Sequence, residues 1–219
     1  MGLILDPTTH RYSVDGQPYT SVTQVQKKLG LTPPYPAEDP KGLKELGTAV
    51  HRAVELAVWD RLDDATTSPE LLPYVAGFRE KKREMNIRPI ATELMMYDPL
   101  DGIAGMLDLF CWVYEPERFQ LAIIDFKRGT APNVTELQTS AYECLLRKAD
   151  ASGEIPPVKR PDGTRCGLHM GYPIRRFSMK LMEGRAVVRE YADDHDVSAW
   201  RGAVQLFKWL SHRPKVFEQ

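Results

Sequence analysis

Ala104 to Val113 and Phe119 to Phe126 read as two consecutive strands joined by the turn-rich Glu115-Pro116-Glu117-Arg118, a pattern that predicts a β-hairpin. Acidic residues interrupt both strands. Side chains alternate along a strand, so Asp125 and Lys127 are expected on one face and Phe126 on the other. Asp108 lies near the start of the first strand and Asp125 near the end of the second, so antiparallel pairing can bring them side by side. Two carboxylates that close repel each other unless a cation sits between them. A hard divalent ion suits oxygen ligands of this kind.

The ordered set goes further than the hairpin. Gly105-Met106-Leu107-Asp108, then Asp125-Phe126-Lys127, then Gln138-Thr139-Ser140-Ala141-Tyr142 in a following helix resembles the PD-(D/E)XK nuclease superfamily, in its RecB-like and phage exonuclease branch. The resemblance implies an α/β fold: one restriction-endonuclease-like domain with a central mixed sheet flanked by helices. It implies that Asp108 and Asp125 bind the metal, that Lys127 works on the attacking water, and that Gln138 and Tyr142 border the site. The Phe126 carbonyl joins the expected ligand set.

A chain of 219 residues can bury a full core and is most simply one domain over 1–219. Within it, residues 1–62 are expected to give an N-terminal hairpin and helix, 90–148 the catalytic hairpin and helix, and 166–219 C-terminal strands and a helix. With 42% hydrophobic and 27% charged residues, the composition is that of an ordinary globular protein. No apolar run approaches the roughly 20 residues needed to cross a bilayer and no signal-peptide pattern opens the chain, so no membrane partner and a cytoplasmic location are expected. The three cysteines, Cys111, Cys144 and Cys166, are widely spaced and predict neither a disulfide framework nor a cysteine-bound cluster. Net charge is only −1, and positive charge is clumped at Lys27-Lys28, Arg79 with Lys81-Lys82-Arg83, Lys127-Arg128, Lys159-Arg160 and Arg175-Arg176. Clumps sharing one face would make a phosphate-binding track; scattered, they are solvated charge.

Along the chain, His10 to Val14 and Gln17 to Tyr19 flank Asp15-Gly16, a strong two-residue hairpin signal. Thr20 or Ser21 can cap a helix carrying Val22, Val25 and Leu29 up to Gly30. The proline-rich Leu31 to Lys41 is expected as a loop. A second helix, Leu43 to Leu62, has an apolar stripe of Leu46, Val50, Val54, Ala57 and Val58. His51 and Glu55 are neighbours on it. A lone helix His is by default a boundary residue, but the resemblance implies a metal-binding His in such a helix and makes His51 a ligand; a salt-bridged or solvated Glu55 explains that residue equally well.

Ser68 to Met85 predicts a helix opened by Ser68-Pro69-Glu70. A strand from Ile90 to Tyr97 carries Glu93, for which the resemblance implies a second-metal or water-mediated ligand, against an exposed strand Glu. Arg128-Gly129-Thr130 turns the chain, and Asn133 with Glu136 predicts a capping box opening a helix to Lys148. On that helix Gln138 and Tyr142 project together. Ala151 to Arg165 is expected as a loop or flap. His169 to Tyr172, Arg176 to Met182 and Arg185 to Tyr191 read as strands, and Val197 to Leu210 as an amphipathic helix with Trp200, Val204, Phe207 and Trp209 toward the core.

The expected activity is divalent-metal-dependent hydrolysis of DNA phosphodiesters, with Mg²⁺ as the ion and Mn²⁺ as substitute. The absence of an obvious recognition domain favours an exonuclease of phage or bacterial recombination and repair. A structure-specific endonuclease and a non-catalytic DNA-binding module of the same fold are the alternatives. DNA is the expected partner, with a single-strand-annealing recombination protein as a second and the bacterial host cytoplasm as the location of a phage-encoded chain.

Overall fold

The computed structural model describes residues 2–9, 11–32, 42–115, 118–128, 134–155, 157–160, 163–168 and 171–212. The apolar hairpin is its spine. Ile103–Glu115 and Arg118–Arg128 pair antiparallel, from Glu115↔Arg118 to Leu109↔Ile124. In chain order the elements are β1 (Leu3–Asp6), β2 (Arg11–Val14), β3 (Gln17–Ser21), α1 (Val22–Lys28), α2 (Leu43–Val58), α3 (Leu72–Glu84), β4 (Arg88–Asp98), β5 (Ile103–Glu115), β6 (Arg118–Arg128), α4 (Thr135–Ser152), β7 (Val158–Lys159), β8 (Arg165–Cys166), β9 (Ile174–Met182), β10 (Arg185–Glu190) and α5 (His195–His212). Eight strands form one mixed sheet, ordered β1-β2-β3-β5-β6-β9-β10 with β4 on the remaining edge of β5. The β3–β5 and β6–β9 pairs are parallel.

Helices cover both faces. On one, Val22 and Val25 of α1, Ala141, Tyr142 and Leu145 of α4, and Trp200 and Val204 of α5 pack on Phe110, Trp112, Leu121 and Ile123. On the other, Val50 and Val54 of α2 and Val75 and Phe78 of α3 pack on Leu109, Cys111, Ala122, Ile124 and Phe126. The chain is thus α/β with a mixed central sheet between helical layers. Among the described residues no helix is long and apolar enough to cross a membrane.

Local chemistry explains most element ends. Asp15 (φ 51°) and Gly16 (φ 80°) both take the left-handed conformation that a tight hairpin between β2 and β3 requires. Ser21 opens α1 with a reciprocal box: its Oγ accepts from the Gln24 amide at 3.1 Å, and Gln24 Oε1 accepts from the Ser21 amide at 2.8 Å.

Several sequence expectations are corrected. The second helix stops at Val58, because Asp60 turns left-handed at φ 54°. The third begins at Leu72 with Pro73 in its first turn, and Ser68 forms only a turn to Leu71. α4 starts at Thr135 behind Val134, which provides no side-chain cap, and runs to Ser152, where Gly153 (φ 73°) ends it. Asn133, Gly129 and Thr130 lie outside the described residues, as do His10, residues 33–41, Pro116, Glu117 and His169. The expected loop 151–165 instead contributes the end of α4, the strand β7 and the start of β8, and Gly171-Tyr172 is not a strand. Trp209 is 51% exposed, whereas Trp200 and Val204 face the core as expected.

Candidate active site

The hairpin partners separate at its far end, and that separation creates the site. β4 lies along β5 from Arg88↔Trp112 to Asp98↔Ile103, so β3 and β6 must share the other edge of β5. β6 pairs there only down to Leu109, and β3 only at Ile103 and Ala104, which leaves the edge open between them. Beyond Ile124, β6 continues alongside β9, through Asp125↔Ser178 and Lys127↔Lys180. Asp108 stands where the two strands fork. Its Oδ2 accepts from the Phe126 amide at 2.6 Å, supplying the partner that a ladder would have given. The antiparallel pairing stops one residue short of Asp108, and it is the fork that leaves Asp108 within reach of the Asp125 charge.

The fork also bends β4 and β5. Leu109 packs into the α2/α3 core, but Leu107, two residues away and of the same parity, packs into the α4 core. Opposite this break, between Thr92↔Leu109 and Leu94↔Leu107, Glu93 holds φ at +49°. A left-handed Glu inside a strand is a strained conformation that only firm surroundings maintain. Here the surroundings include Thr92, whose Oγ1 accepts from Trp59 Nε1 at 3.0 Å.

Asp125 and Lys127 lie on the α4 side of β6, and Phe126 on the other, as alternation predicts. Lys127 Nζ is 2.7 Å from Asp125 Oδ2 and donates to Gln138 Oε1 at 3.0 Å. Gln138 Nε2 in turn donates to the Tyr142 hydroxyl at 2.8 Å. Asp125 is 2% exposed, and its Oδ2 has no aligned hydrogen bond, because Lys127 approaches it as an ion pair rather than along a lone pair. His51 projects from α2 edge-on to the Phe126 ring, with centroids 6.1 Å apart, and senses the charges of Asp125 and Lys127. Glu55, one turn on, is held in an ion pair by Arg52, but its charge still reaches Glu93.

Protonation follows burial. Asp108 is surrounded by protein, though solvent still reaches one edge of it, and desolvation followed by the charge of Asp125 raises its pKa well above the usual carboxylate range. Lys127 and the Phe126 amide oppose that rise without cancelling it. Burial and then Glu55 raise Glu93. Burial lowers His51, which keeps its imidazole neutral and available as a ligand. Tyr142 is raised strongly by burial and then by Asp125 and Asp108, and stays a phenol.

These shifts carry a stability consequence. Asp108 holds its proton more tightly folded than unfolded, so stability falls as pH rises from the unfolded carboxyl value of about 4 through the raised folded value. Thermal melts in a chelator should show that fall for the wild-type chain. Asp108→Asn, which keeps an oxygen for the Phe126 amide, should flatten the slope and melt a few degrees higher at neutral pH, each ~1 kcal/mol being roughly 2–4 °C at this size. Identical slopes in the two proteins would contradict the assigned shift.

No family model and no curated protein matches this chain. Among solved structures, a crystal structure from Eubacterium rectale described as a "Putative exonuclease" superposes with a TM-score of 0.43 at 12% identity, covering 92% of this chain and 80% of that one. A second, SSO0001, gives a TM-score of 0.33 at 11% identity, covering 88% of this chain and 85% of that one.

Among the described residues no three His, Cys, Asp or Glu side chains converge into a closed metal cage. The convergent pair is Asp108 and Asp125, whose Oδ2 is ion-paired with Lys127 but has no aligned hydrogen bond. That suits Mg²⁺, which keeps several waters and is usually held by one or two carboxylates plus substrate phosphates. Among the described residues, His51, Glu93 and Glu55 do not join the pair in such a cage.

Tyr12 of β2 is 7% exposed, and burial followed by the charges of Glu93 and Asp108 pushes its pKa up to about 12.

Gly105 lets α4 approach. A β-carbon there would lie 3.0 Å from a Tyr142 ring carbon, 3.1 Å from Leu145 Cδ1 and 3.2 Å from Val22 Cγ2. Gly105→Ala should displace Tyr142 and Gln138 by a few tenths of an ångström and cost about 1 kcal/mol of stability. An unchanged melting temperature would show that the α4 contact is looser than these distances indicate.

Proposed function

We propose that this chain is a divalent-metal-dependent deoxyribonuclease of the PD-(D/E)XK type, hydrolysing phosphodiester bonds from DNA ends. The observation that supports the reading is the convergence of Asp108, Asp125 and Lys127 at the strand fork, where Asp125 Oδ2 meets the Lys127 ammonium without an aligned hydrogen bond. A buried carboxylate pair is costly unless something positive joins it.

Asp108 and Asp125 would hold Mg²⁺, or Mn²⁺ in its place, with His51, Glu93 and the Phe126 carbonyl completing the surroundings. Bound there, the ion supplies a Lewis acid for a phosphoryl oxygen and lowers the pKa of water. The chain's own contribution is orientation and charge. Gln138 accepts from Lys127 with its oxygen and donates to Tyr142 with its nitrogen, so the amide cannot rotate without losing a bond. The ammonium is thereby held at Asp125, where it can orient a nucleophilic water or offset developing charge. The Trp59–Thr92 hydrogen bond and the bent strand support the left-handed backbone of Glu93.

The test is the release of nucleotides from labelled DNA in Mg²⁺. Linear duplex should be degraded, and covalently closed circular DNA of the same sequence should be spared. Equal cleavage of the circle would replace end-dependent digestion with endonuclease action, and no cleavage of either would refute the enzymatic reading.

A further inference from the structure

Several of the clumped cations noted in the sequence are held by groups of the fold itself. Arg79 is clamped by Asp64 at 2.7 and 2.8 Å, Lys82 reaches Asp60 at 2.8 Å and the Val58 carbonyl at 2.8 Å, and Arg175 pairs with Glu190 at 2.6 Å. Arg176 is 4% exposed, 3.1 Å from Asp196 and 3.4 Å from Glu143. These cations are neutralised within the fold. Lys180 differs from these: among the described residues its ammonium has neither an ion-pair nor a hydrogen-bond partner, and it is the register that makes this matter.

Its position is set by register. β6 and β9 run parallel, and Lys127 is opposite Lys180. Phe177, Met179 and Leu181 pack into the α2/α3 core, so the alternate residues Arg176, Ser178 and Lys180 belong to the α4 side. Arg176 bears this out by donating to the Glu136 carbonyl in the first turn of α4. Lys180 therefore lies on the same face as Asp125 and Lys127, one strand over, half-buried at the carboxyl ends of two parallel strands. Like charges opposite each other on neighbouring strands destabilise a sheet unless an anion lies between them. Lys127 has Asp125 to offset it, but Lys180 does not.

Resting on the nuclease reading, we infer that Lys180 binds a phosphate of the nucleic-acid backbone next to the one that is cleaved, making a second anion seat beside the Lys127 site. Adjacent strands are about 4.8 Å apart, and phosphates rise about 3.4 Å along one DNA strand, so two flexible lysines on neighbouring strands can serve successive phosphates. The seat is electrostatic and carries no base preference.

The experiment is a salt titration of binding to a short fluorescent duplex with Ca²⁺ in place of Mg²⁺, using the wild type, Lys180→Ala, Lys180→Arg and Lys81→Ala. Each duplex is prepared with phosphate-bearing and with hydroxyl ends. Lys180→Ala should weaken binding several-fold and reduce the magnitude of the slope of log K against log salt by about 0.9, the share of one phosphate on duplex DNA. Lys180→Arg should restore the slope, and Lys81→Ala, whose side chain pairs with Glu84 on α3, should leave it unchanged. A change on both duplexes places the contact at an internal phosphate, and a change only on the phosphate-ended duplex places it at the terminus. Wild-type binding with an unaltered slope in Lys180→Ala overturns this inference alone. A wild-type chain that neither binds nor cuts DNA overturns the nuclease reading as well.

Discussion

Asp125→Asn is expected to cut the rate of DNA hydrolysis by about three orders of magnitude or more, equivalent to roughly 4 kcal/mol of transition-state stabilisation. The substitution keeps the shape of a side chain that is 2% exposed but removes the charge at the one buried side-chain oxygen left without an aligned hydrogen bond among the described residues. Lys127→Ala should lose about 10²- to 10⁴-fold, the range of a positioned proton-transfer or charge-stabilising group. Because the two groups touch at 2.7 Å and act as a unit, the double variant should be little slower than the worse single one. Circular dichroism and thermal melts separate lost chemistry from lost fold. Undiminished hydrolysis in both folded single variants would remove Asp125 and Lys127 from the mechanism.

The largest expected effect on stability lies away from the site. Gly77 on α3 meets β10 so closely that a β-carbon would fall 2.4 Å from the Arg185 carbonyl carbon and 2.6 Å from its oxygen. On helix propensity alone, Gly77→Ala would gain about 1 kcal/mol. The clash is with backbone in a paired strand, which cannot swing aside, and overpacking of this kind costs about 1–3 kcal/mol, occasionally more. The clash wins, and Gly77→Ala should melt several degrees lower, with α3 and β10 separating before the central strands. Hydrogen exchange would localise the loss. A stabilised variant would mean that the α3–β10 contact is looser than the geometry indicates.

What could be read from the sequence depended on how local the signal was. The spine hairpin was legible because its apolar runs and turn are contiguous, and Asp15-Gly16 and Ser21 with Gln24 were legible because a tight turn and a capping box need only a few residues. The alternation that sends Asp125 and Lys127 one way and Phe126 the other was also local. It fails at Asp108 and Glu93, where the strand bends and Leu107 and Leu109 enter different cores, because tertiary packing sets that bend. The Ser68-Pro69-Glu70 start signal was real helix chemistry, but it was spent on a turn three residues before α3.

Among candidate site residues, Gln138 and Tyr142 were legible as one face of a helix. That Gln138 bridges Lys127 to Tyr142 depends on where α4 docks, which Gly105 of β5 decides by direct contact. The register that sets Lys180 opposite Lys127 joins residues more than fifty positions apart through a parallel crossover, and the sequence carries no marker of it. The sequence left the basic clumps open between a phosphate track and solvated charge for the same reason, since the acids that pair with Arg79 and Arg175 are distant in the chain.

The central proposition is that Asp108 and Asp125 jointly hold one divalent ion. Anomalous diffraction from crystals soaked in Mn²⁺ tests it directly. A single strong peak within coordination distance of both carboxylates, with the Lys127 ammonium displaced from Asp125 Oδ2, is the expected result. A fully soaked crystal with no peak at the fork, or with manganese bound only elsewhere, would contradict it.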